Sequence, residues 1–303
     1  MNDFHRPVLL QEVIDFLRVK KGSKYIDATL GGAGHAIAIL KRGGILLGID
    51  CDQDAIDYTK KKWKVESGKW RIQEKNLTFA QGNFREIDKI AHLQGFEGVC
   101  GVLFDLGVSS YQLENPQRGF SFQKVGPLDM RMDKKLKIQA ADLLNILTKG
   151  ELDELFFKLG EERNARIISD GIIRARRITP VRTTEDLVLV IKKSLGKKGR
   201  TSAFERGLIA KRIFQALRIA VNDELNNLKE ALPGAYALLE KNGRLVVISF
   251  HSLEDRIVKN KFKEFELRNM GKIITKKPIT PSPEETWENS RSKSAKLRVF
   301  EKI

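Results

Sequence analysis

Over its first hundred residues the chain alternates short apolar runs with stretches of helical periodicity. Tyr25-Ile26-Asp27-Ala28-Thr29, Ile45 to Asp50, Leu77 to Gln81 and Val99 to Asp105 read as parallel strands. The last is a continuous apolar run of the kind buried on both faces. Helices between them would cover the sheet. A β-α-β-α order with right-handed crossovers gives a doubly wound α/β sheet, whose ligand crevice lies at the carboxyl ends of the strands.

Beyond Asp105 the pattern changes. A loop containing Gly, Ser and Pro runs to Asp133, and only helical periodicity follows, with Leu152, Leu155, Phe156 and Leu159 on one face. Helical segments continue over Glu161 to Arg177 and Thr184 to Leu195, up to the break Gly196-Lys197-Lys198-Gly199-Arg200. From about Phe204 a long amphipathic helix, with Ile209, Ile213, Leu217, Val221, Leu225 and Leu228 near one stripe, is expected to end at Pro233-Gly234. Arg244 to Phe250 then reads as another strand and Ser252 as the start of another helix. The spacing predicts a discontinuous α/β domain, 1–133 with 204–303, and an inserted helical domain, 134–203. The tail from Lys272, which mixes Pro with many Lys and Arg, receives no element.

Composition narrows the function classes. With 41% apolar and 31% charged residues the chain is neither disordered nor collagen-like. No run approaches the roughly 18 consecutive apolar residues of a membrane span, and Met1-Asn2-Asp3-Phe4-His5 lacks a signal pattern, so a cytoplasmic protein without a membrane partner is expected. Cys51 and Cys100, in or beside apolar runs, are expected as buried thiols rather than a disulfide. Four scattered histidines, His5, His35, His92 and His251, offer no zinc spacing, so no metal is expected. The net charge of +16 would attract a phosphate backbone, although a solvated basic surface gives the same count. Arg174, Arg176, Arg177, Lys192, Lys193, Lys197, Lys198 and Arg200 are the candidate phosphate contacts.

The strongest local signal is Asp27-Ala28-Thr29-Leu30-Gly31-Gly32-Ala33-Gly34-His35, a strand entering a Gly-rich turn that opens a helix. A nucleotide-like cofactor could lie on its backbone, with Asp50 at the end of the next strand accepting from ribose hydroxyls. A tight strand-to-helix turn and a helix-capping Asp would look the same. Position 37 is Ile where a dinucleotide site carries its third glycine, which disfavours a nucleotide-dependent oxidoreductase. S-adenosylmethionine has adenosine and ribose but no pyrophosphate, and suits the loop better. A noncatalytic RNA-binding protein would also account for the charge.

Four further segments accompany that loop: His5-Arg6-Pro7-Val8-Leu9-Leu10; Leu103-Phe104-Asp105-Leu106-Gly107-Val108-Ser109-Ser110; Arg118-Gly119-Phe120-Ser121-Phe122 with Gly126 to Asp133; and Ile248-Ser249-Phe250-His251-Ser252-Leu253-Glu254-Asp255-Arg256. Together with Gly160-Glu161-Glu162-Arg163, Phe214 to Ile219 and Arg291 to Arg298, the chain resembles the bacterial ribosomal RNA small subunit methyltransferase H family, also called MraW. The resemblance implies a Rossmann-like class I methyltransferase fold and S-adenosylmethionine as cofactor. It further implies methylation of the exocyclic N4 of a cytidine, nucleotide 1402, in the decoding region of 16S rRNA within the small ribosomal subunit, with the inserted helical domain meeting RNA. A homodimer stays open.

By the same resemblance, cofactor contacts fall on Ala33, Gly34, His35, Asp50, Phe84, Asp105 and Gln112. Asp105 is the candidate acceptor for a proton of the target amine, and His251 a second candidate for the chemistry. Each also has an ordinary reading: Phe84 as core, Gln112 as an exposed loop residue, Asp105 in a turn, His251 as a helix cap. Phe120 and Phe122 would hold a splayed base or anchor their loop. Two departures stand out. The family usually reads Gly-Arg-Gly-Gly-His where this chain has Gly31-Gly32-Ala33-Gly34-His35, and His-Pro-Ala-Thr-Arg where it has Leu208-Ile209-Ala210-Lys211-Arg212.

Overall fold

A computed structural model of the chain describes residues 7–70, 76–196 and 202–303. In chain order its elements are α1 (Leu10–Leu17), β1 (Lys24–Asp27), α2 (Gly34–Lys41), β2 (Ile45–Asp50), α3 (Gln53–Trp70), β3 (Leu77–Gln81), α4 (Ile87–Leu93), β4 (Val99–Asp105), α5 (Ser110–Glu114) and α6 (Ala140–Ile146). There follow α7 (Lys149–Gly160), α8 (Ala165–Arg176), α9 (Thr184–Ser194), α10 (Ala203–Asn222), α11 (Glu224–Leu238), β5 (Leu239–Ser249), α12 (Ser252–Leu267), β6 (Gly271–Ile273), α13 (Pro283–Glu288) and β7 (Lys296–Lys302). They form two compact units, Met1–Ser109 with Leu225–Ile303, and Ser110–Glu224.

The first unit holds one sheet in the order β3-β2-β1-β4-β5-β7-β6. Its first five strands run parallel, and β7 runs antiparallel to β5 and β6. Alternate strand residues feed two cores. Ile26, Leu47, Val102, Phe104 and Val247 pack under α4, α11 and α12. Tyr25, Leu46, Leu103, Val246 and Leu297 pack under α1 and α2. This is the expected Rossmann-like doubly wound sheet, with the carboxyl ends of β1, β2 and β4 side by side.

The structure departs from the sequence pattern in three places. First, β1 stops at Asp27 rather than Thr29, because the Thr29 N–H turns back to Asp27 Oδ1 at 3.1 Å and leaves the ladder. Second, the long helix after Phe204 is two helices. Asp223 adopts a left-handed backbone (φ 49°) at the end of α10, while Pro233 sits inside α11 instead of ending it. The roughly 3 kcal/mol that an internal proline costs is outweighed by burying Leu228, Leu232 and Leu238, at about 1.5–3 kcal/mol each. Third, the basic tail contains β6 and β7.

The second unit is helical, with α7 packed on α10 and α8 on α9. Its boundaries fall at 109/110 and 224/225 instead of 133/134 and 203/204, because hydrogen bonds tie the preceding loop and α10 to the helices. Leu128 N–H donates to the Arg182 carbonyl (2.9 Å) and Thr184 N–H to the Gly126 carbonyl (3.0 Å). The Asn222 amide donates to the Met130 carbonyl (2.8 Å) and accepts from Met132 N–H (2.7 Å). The buried Arg118 guanidinium donates to the carbonyls of Arg131 and Met132. Among the described residues no helix is long and apolar enough to cross a membrane.

Candidate active site

The turn after β1 is shaped by the residue that ends β2. Asp50 Oδ2 accepts from Gly31 N–H at 2.8 Å, and its Oδ1 accepts from Asp52 N–H at 2.9 Å. Thr59, buried on α3, donates to the Gly31 carbonyl at 2.9 Å. The chain then passes through Ala33, which is left-handed (φ 61°) and buried, into α2. Gly34 is bare for a reason other than ligand approach. A Cβ there would lie 2.9 Å from the ring of Pro7, so Gly34 admits the segment before α1 against the loop.

Beside this turn lies a group of buried acids. Asp27, 2% exposed, has its carboxyl pushed up to about 7 by burial, with the charge of Asp50 adding to the effect and a bond from Thr29 N–H opposing it. Asp105, at the end of β4, is raised well above the usual carboxylate range by burial and by the charges of Asp27 and Glu254. Its backbone N–H donates to Thr29 Oγ1 at 2.6 Å, which ties β4 to the turn after β1. Among the described residues Asp105 Oδ1 is buried without a hydrogen-bond partner, while Oδ2 lies 3.6 Å from Nδ1 of His35. His35, 4% exposed, also sets Nε2 3.0 Å from the Val8 carbonyl.

The structure thus gathers Ala33, Gly34, His35, Asp50 and Asp105 at the carboxyl ends of three neighbouring strands. Phe84 follows β3 and packs edge-on against Phe104, with ring centroids 5.7 Å apart. It is partly buried against the core. Gln112 belongs to the second unit, where it is buried on α5 rather than exposed in a loop. His251 caps α12: its Nδ1 accepts from Glu254 N–H at 3.4 Å, and the Glu254 carboxylate accepts from the N–H groups of Phe250 (2.8 Å) and His251 (3.3 Å). Its Nε2 lies 3.2 Å from Glu254 Oε1. Nδ1 thus serves as the cap, while Nε2 is buried without a hydrogen-bond partner among the described residues.

Phe120 is buried, and Phe122 packs edge-on against Phe214 at 5.9 Å, so both anchor their loop within the helical unit. In the altered segment of α10, Ile209 and Ala210 are buried, and Arg212 reaches the buried Glu162 at 3.3 Å. Arg174, Arg177, Lys192 and Lys193 are exposed and Arg176 is half-buried, while Lys197, Lys198, Arg200, His5 and Arg6 lie outside the described residues. Cys51 and Cys100 are free thiols, half-buried rather than buried. Asp27, Thr29 and Glu254 were not predicted as site residues. Asp27 and Thr29 were legible only as parts of the loop motif, and their link to Asp105 crosses more than seventy positions of sequence.

Comparison with known proteins agrees over the length of the chain. The family model described as "MraW methylase family" matches residues 2–303. The chain is 45% identical to "Ribosomal RNA small subunit methyltransferase H" of Carboxydothermus hydrogenoformans, covering 99% of this chain and 98% of that protein. Against the protein of the same name from Fusobacterium nucleatum it is 42% identical, covering 100% and 98%. A putative methyltransferase from Streptococcus mutans, solved in complex with SAH, aligns over 99% of this chain and 100% of its own at 13% identity and a TM-score of 0.45, a likeness too low to carry an assignment. On the family model and these relatives, the chain belongs to the MraW methylase family.

Proposed function

We propose that the chain transfers a methyl group from S-adenosylmethionine to the exocyclic N4 of a cytidine, nucleotide 1402, in the 16S rRNA of the small ribosomal subunit. The names of its relatives give small-subunit rRNA as what those proteins act on. The observation that carries the chemistry is Asp105, a carboxyl at the end of β4 with one buried oxygen left without a hydrogen-bond partner among the described residues.

The residues present fit the cofactor. Asp50, held by two backbone N–H groups, keeps further lone pairs for ribose hydroxyls, Phe84 offers an apolar ring for adenine, and the loop from Gly31 to His35 offers its backbone. When bound, the sulfonium supplies a methyl group already activated for transfer. What remains for the protein is to hold the amine in line and to take its proton. The cytosine amine is a weak nucleophile because its lone pair is delocalised into the ring. Asp105 Oδ1, as carboxylate, accepts an N–H and draws the nitrogen toward a pyramidal, nucleophilic geometry. Its raised proton affinity, from burial and from Asp27 and Glu254, brings it closer to the working pH of a base. A cytoplasmic location and an RNA-docking helical unit belong to the same reading.

The test is methyl transfer from labelled S-adenosylmethionine to small subunits from a strain lacking this enzyme, followed by mass spectrometry of the digested rRNA. N4-methylcytidine at the single site is expected. Methyl on ribose or on carbon 5 of cytosine, or no transfer, overturns the proposal.

A further inference from the structure

The helical unit contains an open groove between α8 and α9 with a volume of about 450 Å³, within the size range of small-ligand sites. At one end Gly171 brings the helices together, since a Cβ there would meet Ser194 Oγ at 1.8 Å. The floor is apolar and open to water, with Ile178 88% and Leu189 45% exposed beside Pro180. Exposed Arg174 and Lys193 stand at the lining, and among the described residues neither is ion-paired. Asp186, the acid in the lining, is already committed. Burial works to raise its carboxyl, but bonds from the N–H groups of Arg182 (3.1 Å) and Thr183 (2.9 Å) prevail and hold it below the usual range.

An aliphatic floor flanked by two unpaired cations is complementary to one ligand chemistry: a flat, uncharged face carried on an anionic backbone. We propose that this groove seats one unstacked nucleotide of single-stranded RNA, its base on Ile178 and Leu189 and its phosphates against Arg174 and Lys193. The proposal rests on the rRNA methyltransferase reading and adds to it a docking subsite distinct from the site at the strand ends. A duplex would present phosphate ridges to a surface rather than a base face to a recess. Single strands are held by base faces on apolar side chains, most often aromatic and here aliphatic, together with neutralisation of the backbone.

Binding of fluorescein-labelled octauridylate RNA to the full chain, followed by anisotropy over a salt series, tests it. The variant R174Q/K193Q should weaken binding about tenfold and lower the salt slope by about 1.4, the value for two phosphate contacts to a single strand. Ile178→Ser should weaken binding about threefold and leave the slope unchanged, a response that a merely electrostatic surface would not give. These side chains are exposed, so thermal unfolding should match the parent. K259Q/K263Q, on exposed positions of α12, removes the same charge elsewhere and should cost less than twofold. Equal loss in that control, unchanged binding in the groove variants, or a preference for an acidic peptide over RNA overturns the proposal. Methyl transfer to small subunits separates the two readings. Failure of the parent chain to transfer defeats the functional reading, whereas groove variants with an unchanged KM for subunits defeat the groove alone.

Discussion

Nδ1 of His35 stands 3.6 Å from Oδ2 of Asp105, while Nε2 of the same ring meets the Val8 carbonyl at 3.0 Å. A carbonyl can only accept, so Nε2 carries the hydrogen, and a neutral ring turns its Nδ1 lone pair toward Asp105. Burial raises the Asp105 carboxyl above the usual range, and at 3.6 Å the two groups are in close polar contact without a hydrogen bond between them. Nitrogen-15 spectra, with His35 assigned through His35→Gln, should show the Nε2–H tautomer at neutral pH. An Nδ1–H tautomer would contradict this arrangement.

Asp27 should make the protein less stable as pH rises. Its folded carboxyl titrates near 7 against an ordinary value of 3.8, so the folded state binds the extra proton between those limits. Stability from this group is full below about pH 4, falls by about 1.4 kcal/mol per pH unit up to about pH 7, and is level beyond. Asp27→Asn keeps an acceptor for Thr29 N–H and removes the titration. Urea unfolding at pH 5 and pH 8 should show the variant gaining on the parent at the higher pH, and parallel profiles would count against the assignment.

Asp105→Asn replaces a proton acceptor by an amide of the same size. If Asp105 acts on the target amine, kcat should fall about 100-fold or more. A loss confined to the KM for S-adenosylmethionine would instead place Asp105 at the amino-acid end of the cofactor.

Asp50→Ala should weaken S-adenosylmethionine binding by on the order of 2 kcal/mol. The substitution also strips acceptors from Gly31 and Asp52 N–H, so some loosening of the turn is expected with it. Asp50→Asn keeps one acceptor and is the cleaner variant. Calorimetry giving parental affinity in a folded Asp50→Asn protein would remove the carboxylate from the site.

Ala33 holds a left-handed backbone where the resembling family usually has glycine. Relief of that conformation is worth about 1–2 kcal/mol, against the roughly 0.4–1 kcal/mol of unfolded-chain entropy that glycine adds. Ala33→Gly should therefore stabilise the protein by about 0.5 kcal/mol. A lower urea midpoint would show instead that its buried methyl outweighs the strain.

The parallel part of the sheet was legible because β2, β3 and β4 are short, largely apolar runs whose only charges, Asp50 and Asp105, stand at their carboxyl ends. The strand β7 was not, although Leu297, Val299 and Phe300 are apolar. It reads Lys-Leu-Arg-Val-Phe-Glu-Lys, and two of its charges are buried as pairs supplied from far away. Arg298 donates to Asp255 of α12 at 2.6 Å, and Glu301 accepts from Arg244 of β5 at 2.8 Å. Buried charge that is cancelled by a distant partner looks, in sequence, like solvated charge. The site divides in the same way. The Gly loop and Asp50 follow from local spacing, whereas the coupling of Asp27, Asp105 and Glu254 exists only once β1, β4 and the start of α12 are neighbours. The cap at His251 likewise shows only once the Glu254 N–H is in place.

The strand β7 is not at the edge of the sheet: it runs between β5 and β6 and pairs with both. During synthesis from the amino end, β1 to β4 therefore emerge long before the strands that finish their sheet. The helical unit is continuous in the chain and ends at Glu224. The order of emergence thus favours a folded insertion ahead of a closed sheet, and leaves the open edge of β4, with Asp105, waiting on β5, which is made only after the insertion.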